Sequence, residues 1–538
     1  MRAAGFGVFA VVATLLPALV VLWNHGWASP FWLLAGDAYL YLGIGEASSG
    51  LTMSFDGMRP TNGFHPLWQI WVRIATGLTS GPEGAMALVA WSAVACTLGG
   101  VLLLGLAIRR MTGSWLLAML AVPGVYYLAI GQALRNLPVW GFFDGMEAGL
   151  AFLLSGLLFS LAARGARPIA LGVVMAFLVL TRLDEVFVPA SVALAVALWP
   201  GRPVRRRIRD AAALAAPTAV ALALFVGWSL WSTGLPTPVS GAAKGEGALV
   251  ANVWVTLATF LAPLIDLRSA VTAYEPDRAA LLGGAFRVVE LVVPALFALG
   301  FLFVLVRRLH LRPWAPLLAG VCGGVLIKAG YNVVSVNYWH QASWYFALAM
   351  ALVTLGSAVL LRPAIAAAHP RALRWAAPGL ALVTLLHASL WSAHVMTDPL
   401  RPEQRAFWTA RAQVESALLA AVPTPRVIEF GDGMINFTFD FPVRHGFVFA
   451  GDAQSLRALR EGRLLRDAYD DGFTLLSSYE YLRVPDGAED WDSEEIRAFL
   501  MDSFLDARIK AELADYTFAM VHVARPTGVP FIRFEPRG

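Results

Sequence analysis

The chain places its apolar residues in separate blocks of about 15–25 residues, and that segregation limits its fold more than any motif. Blocks of this length carry helices through a bilayer's hydrocarbon core, where helices and closed barrels alone satisfy their own backbone hydrogen bonds. Of 538 residues, 58% are hydrophobic and 14% charged, with mean hydropathy +0.63. A soluble domain carries about 25% charged residues, and one soluble core would not divide its apolar sequence this way. The expected class is an α-helical polytopic membrane protein. Its spans are read at 5–23, 84–108, 115–130, 146–163, 168–181, 185–199, 211–231, 289–306, 314–334, 342–361 and 375–395, about eleven transmembrane helices.

Arginine assigns the sides. Short loops holding Arg2, Arg109 and Arg110, Arg164 and Arg167, Arg202 to Arg209, Arg307 to Arg312, and Arg362 to Arg374 alternate with longer loops poor in basic residues. The positive-inside rule puts the first set in the cytoplasm, hence the N-terminus inside and the C-terminus outside. The net charge of +4 is topological in origin and implies no nucleic-acid partner. Cys96 and Cys322 both lie in apolar runs, which excludes a disulfide framework or a paired-cysteine metal site. The first apolar run is long for a signal peptide and is read as an uncleaved span. Abundant arginine and alanine, with Lys244, Lys328 and Lys510 the lysines, suggest a GC-rich bacterial source and hence the bacterial inner membrane.

From about residue 399 charge rises and apolar runs shorten. The division is a membrane domain at 1–398 and a C-terminal extracytoplasmic α/β soluble domain at 399–538. In the tail, 427–430, 473–477 and 518–523 read as strands, and 453–467 and 493–514 as helices. Asn436-Phe437-Thr438 matches a glycosylation triplet by chance.

The unusual polar residues face outward. Loop 24–83 holds Asp37, Asp56, Asn62 and His65; Glu147 opens the fourth span; Arg182 and Asp184 fill a short turn; Lys244 lies in loop 232–288; Trp344 and Tyr345 open the tenth span. Asp37, just past the first span, suits a general base toward a hydroxyl, and equally a helix N-cap. Asp56-Gly57 and Asn62-Gly63 are turn pairs as well as candidate substrate contacts. His65 suits a structural histidine or a substrate contact. Arg182 and Asp184 form a local pair or serve a substrate. Glu147 suits a helix N-terminus. Lys244 is a surface lysine or a phosphate ligand, and Trp344 and Tyr345 fit an interfacial belt as well as a sugar-stacking surface.

The order Gly36-Asp37-Ala38-Tyr39, Phe55-Asp56-Gly57, Pro60-Thr61-Asn62-Gly63-Phe64-His65-Pro66-Leu67-Trp68, then Gly145-Met146-Glu147, Thr181-Arg182-Leu183-Asp184, Pro238 to Lys244 and Trp344-Tyr345 resembles the GT-C glycosyltransferase superfamily. The likeness is to bacterial protein-mannosyltransferase-like and arabinofuranosyltransferase-like enzymes and covers about residues 1–395. It implies transfer of a sugar from a polyprenyl-phosphate carrier to a glycan, lipid or protein acceptor, with Asp37 as base and Lys244 or Arg182 stabilising the leaving phosphate. Asp56, Asn62, His65, Glu147, Asp184, Trp344 and Tyr345 are then the candidate substrate contacts. Where the family often has Asp-Asp, this chain has Gly36-Asp37; one carboxylate suffices for a base, no cofactor is assigned, and a divalent metal is left open. The tail is expected to hold the acceptor and to carry no reaction chemistry. The reading from a different class is a secondary transporter or lipid-handling carrier, which would place ionisable residues near the midplane.

Overall fold

Proline and glycine punctuate the helices. Pro66, Pro82 and Pro168 each stand at a first helical turn, where the missing N–H has no partner to lose. Gly113 and Gly234 end the longest helices in the left-handed conformation, at φ of 80° and 73°. The computed structural model describes residues 3–125, 143–201, 203–244, 295–335, 343–397, 400–504, 507–525 and 527–537. Five helices are long and apolar enough to cross a membrane: Ala3–Ala28, Pro82–Thr112, Val204–Thr233, Ala347–Ala367 and Leu373–Thr397. The other expected spans appear as shorter helices, among them Ala148–Ala163 and Pro168–Thr181, or as Ala315–Ser335 and the 295–308 segment. Among the described residues, length and composition thus identify five full crossings, and parts of the expected spans at 115–130, 289–306 and 342–361 lie outside those residues.

Small residues set the helix spacing. Lipid tails are as apolar as leucine, so helices associate by packing, and glycine brings backbones close. A Cβ at Gly324 would lie 2.7 Å from the Cα of Val188, and one at Gly320 would overlap the Cα of Val192. These two glycines, four apart, let Ala315–Ser335 lie directly on Phe187–Leu198.

Loop 24–83 is built rather than open. A loop helix, Gly36–Ala47, is followed by a turn region and by a second helix, Pro66–Leu78, which the sequence reading did not anticipate. This second helix buries Trp68, Val72 and Ala75 and exposes Ile70, Ile74 and Leu78.

The tail opens with a helix, Leu400–Ala421, directly after the last span. Its sheet has five strands in the order β2-β1-β3-β5-β4: β1 Val427–Glu429, β2 Val443–His445, β3 Leu475–Ser477, β4 Tyr516–Ala524 and β5 Val529–Pro536. β1 pairs in parallel with β2 and β3; β5 runs antiparallel to β3 and β4. Ile428, Leu476 and Ile532 pack with Leu456, Ile496 and Leu500 into a second core, which also takes in Val239 from the loop after Val204–Thr233. Val427, Met434, Phe437 and Phe531 instead join the core that runs into the membrane helices. The boundary near 399 is thus a change of composition across a continuous core.

A Gly320→Ala variant is expected to lose about 1–3 kcal/mol through overpacking against Val192. Gly330→Ala, in the same helix with open space around it, should be neutral or slightly stabilising. Thermal melts of the two purified variants decide the matter; equal midpoints would remove the close approach from the account.

Candidate active site

The loop helix Gly36–Ala47 is held at its start from three directions. The Ala35 N–H donates to the Asp144 carbonyl at 2.7 Å, and Arg401 donates to the carbonyl of Leu34. Trp68 Nε1 donates to the Gly145 carbonyl at 3.0 Å, which ties the second loop helix to the same turn. Ala35 occupies the N-cap with no side-chain cap, and Asp37 lies inside the first turn. The N-cap alternative for Asp37 is therefore not the one observed. Its half-buried carboxylate sits at the positive end of the helix dipole.

One turn further along, Tyr41 donates to Glu147 Oε2 at 2.9 Å. Glu147 is fully buried and accepts Arg182 Nη1 on its other oxygen. Arg182, 1% exposed, also reaches Asp184 with Nε at 3.2 Å and Nη2 at 3.3 Å, and its guanidinium stacks 4.2 Å from the Tyr345 ring centroid. Lys328 Nζ closes the network on Asp184 at 3.0 Å, Glu185 at 2.5 Å and the Tyr345 carbonyl at 2.9 Å. Three carboxylates (Glu147, Asp184, Glu185) thus face two cations (Arg182, Lys328). Buried charges persist only when paired in this way, and removing one partner would strand the others. A small cleft beside this network is lined by Glu185, Val325, Lys328, Tyr345 and Phe346.

The face of the loop helix that carries Gly36, Leu40 and Gly43 meets the tail. A Cβ at Gly36 would lie 2.5 Å from Asp432 Oδ2, and one at Gly433, where φ is 84°, would lie 2.8 Å from the Leu40 backbone nitrogen. Asn436 donates to the Phe55 carbonyl at 2.9 Å, which also makes it an unsuitable glycosylation site. Thr61 Oγ1 donates to the Gly451 carbonyl at 2.6 Å, and Arg59 pairs with Asp471 at 2.6 Å. Glu429 accepts the N–H groups of Ile435 and Asn436 at 2.9 and 3.0 Å. Burial, with the charge of Asp432 adding to it, nevertheless pushes its carboxyl up to about 8. Burial and then the charge of Asp37 push Asp432 up to about 6, against the pull of the Met434 N–H.

The expected site residues divide into three groups. Asp37 stands at the junction of loop and tail, while His65, Glu147, Arg182, Asp184 and Tyr345 come together in the buried network. His65 precedes the second loop helix, with Nε2 at 3.7 Å from Glu147 and Nδ1 accepting the Leu183 N–H at 3.4 Å. Asp56 fixes a turn within the loop, and Asn62 ties the loop to the distant segment 229–239. Asp56 Oδ1 accepts the N–H groups of Met58 and Arg59 at 2.8 Å each, forming a turn. Asn62, fully buried, donates to Ser229 at 2.6 Å and the Thr237 carbonyl at 3.0 Å and accepts the Val239 N–H at 2.9 Å. Lys244 ends the short helix Val239–Lys244, and Trp344 lies in the turn Ser343–Phe346; the side chains of both lie outside the described residues.

Sequence reasoning missed Tyr41 and Glu185, gave Lys328 no place in the site, and offered the tail carboxylate Asp432 only as a group that could bind sugar hydroxyls, with no partner recognisable from sequence. The adjacency of Glu185 to Asp184 was a usable signal; the approach of Asp432 to Gly36 was not. The tail was expected to stand apart from the chemistry, yet Asp432 lies against the residue preceding Asp37. Among the described residues no group of three His, Cys, Asp or Glu side chains is arranged to hold a metal ion, so no step is routed through one.

No family model and no curated protein matches the chain. Its fold is similar to solved structures of the Archaeoglobus fulgidus oligosaccharyltransferase, one tethered with an acceptor peptide and one in complex with Zn and sulfate. The first shows 14% identity over 98% of this chain and 74% of that chain, with a TM-score of 0.44. The second shows 13% identity over 97% and 73%, at 0.45. It is also similar to ArnT from Cupriavidus metallidurans bound to undecaprenyl phosphate, at 13% identity over 99% and 98%, with a TM-score of 0.46. Likeness at this level carries no argument about chemistry, which rests on the site itself.

The raised carboxyls give a pH prediction. Folding holds protons on Glu429 and Asp432 more tightly than the unfolded chain does. Their contribution to stability is therefore full below about pH 4 and is lost as pH rises through about 6 and then about 8. Glu429→Gln should flatten the fall in melting temperature between pH 5 and pH 9 by about 3–6 °C. Parallel slopes for the variant and the parent would count against these protonation states.

Proposed function

We propose that this chain is a GT-C-type membrane glycosyltransferase that moves a sugar from a polyprenyl-phosphate donor to an acceptor hydroxyl at the outer face of a bacterial inner membrane. The observation that carries the reading is the placement of Asp37. It is a half-buried carboxylate on a short helix fixed between the membrane helices and the tail. Such a group is preorganised, and its ionised form is the one that can accept the proton of an attacking hydroxyl.

In the proposed step Asp37 takes the acceptor's O–H proton as that oxygen bonds to the anomeric carbon. The bond from the anomeric carbon to the phosphate oxygen breaks, and the polyprenyl phosphate leaves with the electron pair. Configuration inverts, because attack and departure lie on opposite sides. Arg182 has Nε and both terminal nitrogens engaged by Glu147 and Asp184, so Lys244 is the better candidate to receive the phosphate charge. Arg182 then acts through position, stacked on Tyr345 and holding the Glu147 that receives Tyr41 of the loop helix. Asp56 and Asn62 act by fixing the loop, and His65, Asp184, Trp344 and Tyr345 border the substrate space. The tail bears on the acceptor, whether glycan, lipid or protein.

The buried Lys328–Glu185 pair is the feature a carrier would use. Its companions Asp184 and Tyr345 both sit at the starts of helical segments, in loops assigned to the outer side, which favours the transferase.

Asp37→Asn tests the reading. Asparagine keeps the size and helix compatibility of aspartate but cannot accept the proton. The variant should fold and bind undecaprenyl phosphate like the parent while sugar transfer falls by about 100-fold or more. Transfer at the parental rate would remove Asp37 from the mechanism.

A further inference from the structure

Gly36 has no side chain, and the space that one would take is filled from the tail. A Cβ there would meet Asp432 at Oδ2, Cβ and Cγ, at 2.5, 2.9 and 3.1 Å. Asp432 is 6% exposed, follows β1, and is fixed by the Met434 N–H at 3.2 Å. Gly433 brings its backbone onto Leu40 of the loop helix, so this approach is a property of two backbones and not of a swinging side chain.

Two further groups point to the same place. The hydroxyls of Tyr39, from the loop helix, and Tyr479, from the tail, are buried and make no hydrogen bond among the described residues. Both feel the charge of Asp432. Buried hydroxyls without partners are costly unless a ligand satisfies them. We propose that Asp432 is the positioning partner of Asp37: its carboxylate packs against Gly36, the residue before the base, and with Tyr39 and Tyr479 borders the seat of a hydroxyl-bearing acceptor.

The inference rests on the transferase reading and deepens it, because it builds the reaction centre from both halves of the chain. The charged surroundings are mixed. Arg401 and Glu403 approach from the helix Leu400–Ala421, and Glu429, Glu480, Tyr481 and Arg483 from the tail. Two carboxylates brought close disfavour each other's ionised form, and the pairing requires that coupling.

Infrared titration of carboxyl groups in the purified full chain tests the pairing without any substrate. The set comprises the parent, Asp37→Asn, Asp432→Asn and the double variant. Removing Asp432 should lower the titration midpoint of Asp37 by about one pH unit or more, and removing Asp37 should lower that of Asp432. Gly36→Ala keeps both carboxylates and should lower the Asp37 midpoint too, by pushing Asp432 away. Independent midpoints in well-folded variants would overturn the proposal.

Transfer assays with undecaprenyl-phosphate-linked sugar separate the two readings. Asp432→Asn should cut kcat about 10-fold at unchanged donor KM and move the acid limb of the pH profile downward, with Asp432→Glu restoring most of the rate. Coupled midpoints without any transfer by the parent would refute the transferase reading alone. Normal transfer with an unmoved acid limb in Asp432→Asn would refute the pairing alone.

Discussion

The structure depends on one contact, the seating of the loop helix Gly36–Ala47 between the membrane helices and the tail. Glycines make it close. Gly36 admits Asp432, Gly43 admits Asn436, and Gly433 lies on the backbone at Leu40. Each is a point where a methyl group would force the two halves apart. The helix is too short to be stable by itself in water, so packing from both sides is what keeps Asp37 in place. The hydrophobic core crosses the contact without a break, through Tyr39, Phe437 and Trp408.

Beneath that helix lies a second constraint. Glu147, Arg182, Asp184, Glu185 and Lys328 come from three stretches of chain and neutralise one another in an apolar bundle. A buried ion set of this kind is weak as a source of stability, since desolvation offsets most of its Coulomb energy. Its geometric demand is strict, because each member has a fixed partner. Tyr41 transmits that order to the loop helix, four residues from Asp37 on the same face.

Much of this was legible in the sequence. Apolar blocks and arginine alternation report the solvent that each segment meets, which is a local property. The loop helix, the turn at Asp56 and the strands at 427, 475 and 518 were likewise local signals. The second loop helix escaped although Leu67, Trp71, Ile74 and Leu78 fall at helical spacing, because its 13 residues are too few to stand out as a span. β2 was missed because three residues carry almost no periodicity, and β5 because its residues are buried on both faces. The pairing of Asp432 with Gly36 joins positions 396 residues apart (432 − 36), and no pattern in one sequence encodes such a meeting. Its single trace was a glycine where the resembling family often has a second aspartate, a vacancy that the tail fills.

The central claim is that the reaction centre lies where the loop helix meets the tail. A cryo-electron microscopy structure of the full chain with undecaprenyl phosphate tests it most directly. The account predicts phosphate density within reach of Lys244 and on the side of the loop helix that bears Asp37. Phosphate seated instead in the cleft at Lys328 and Phe346, away from Asp37, would contradict it.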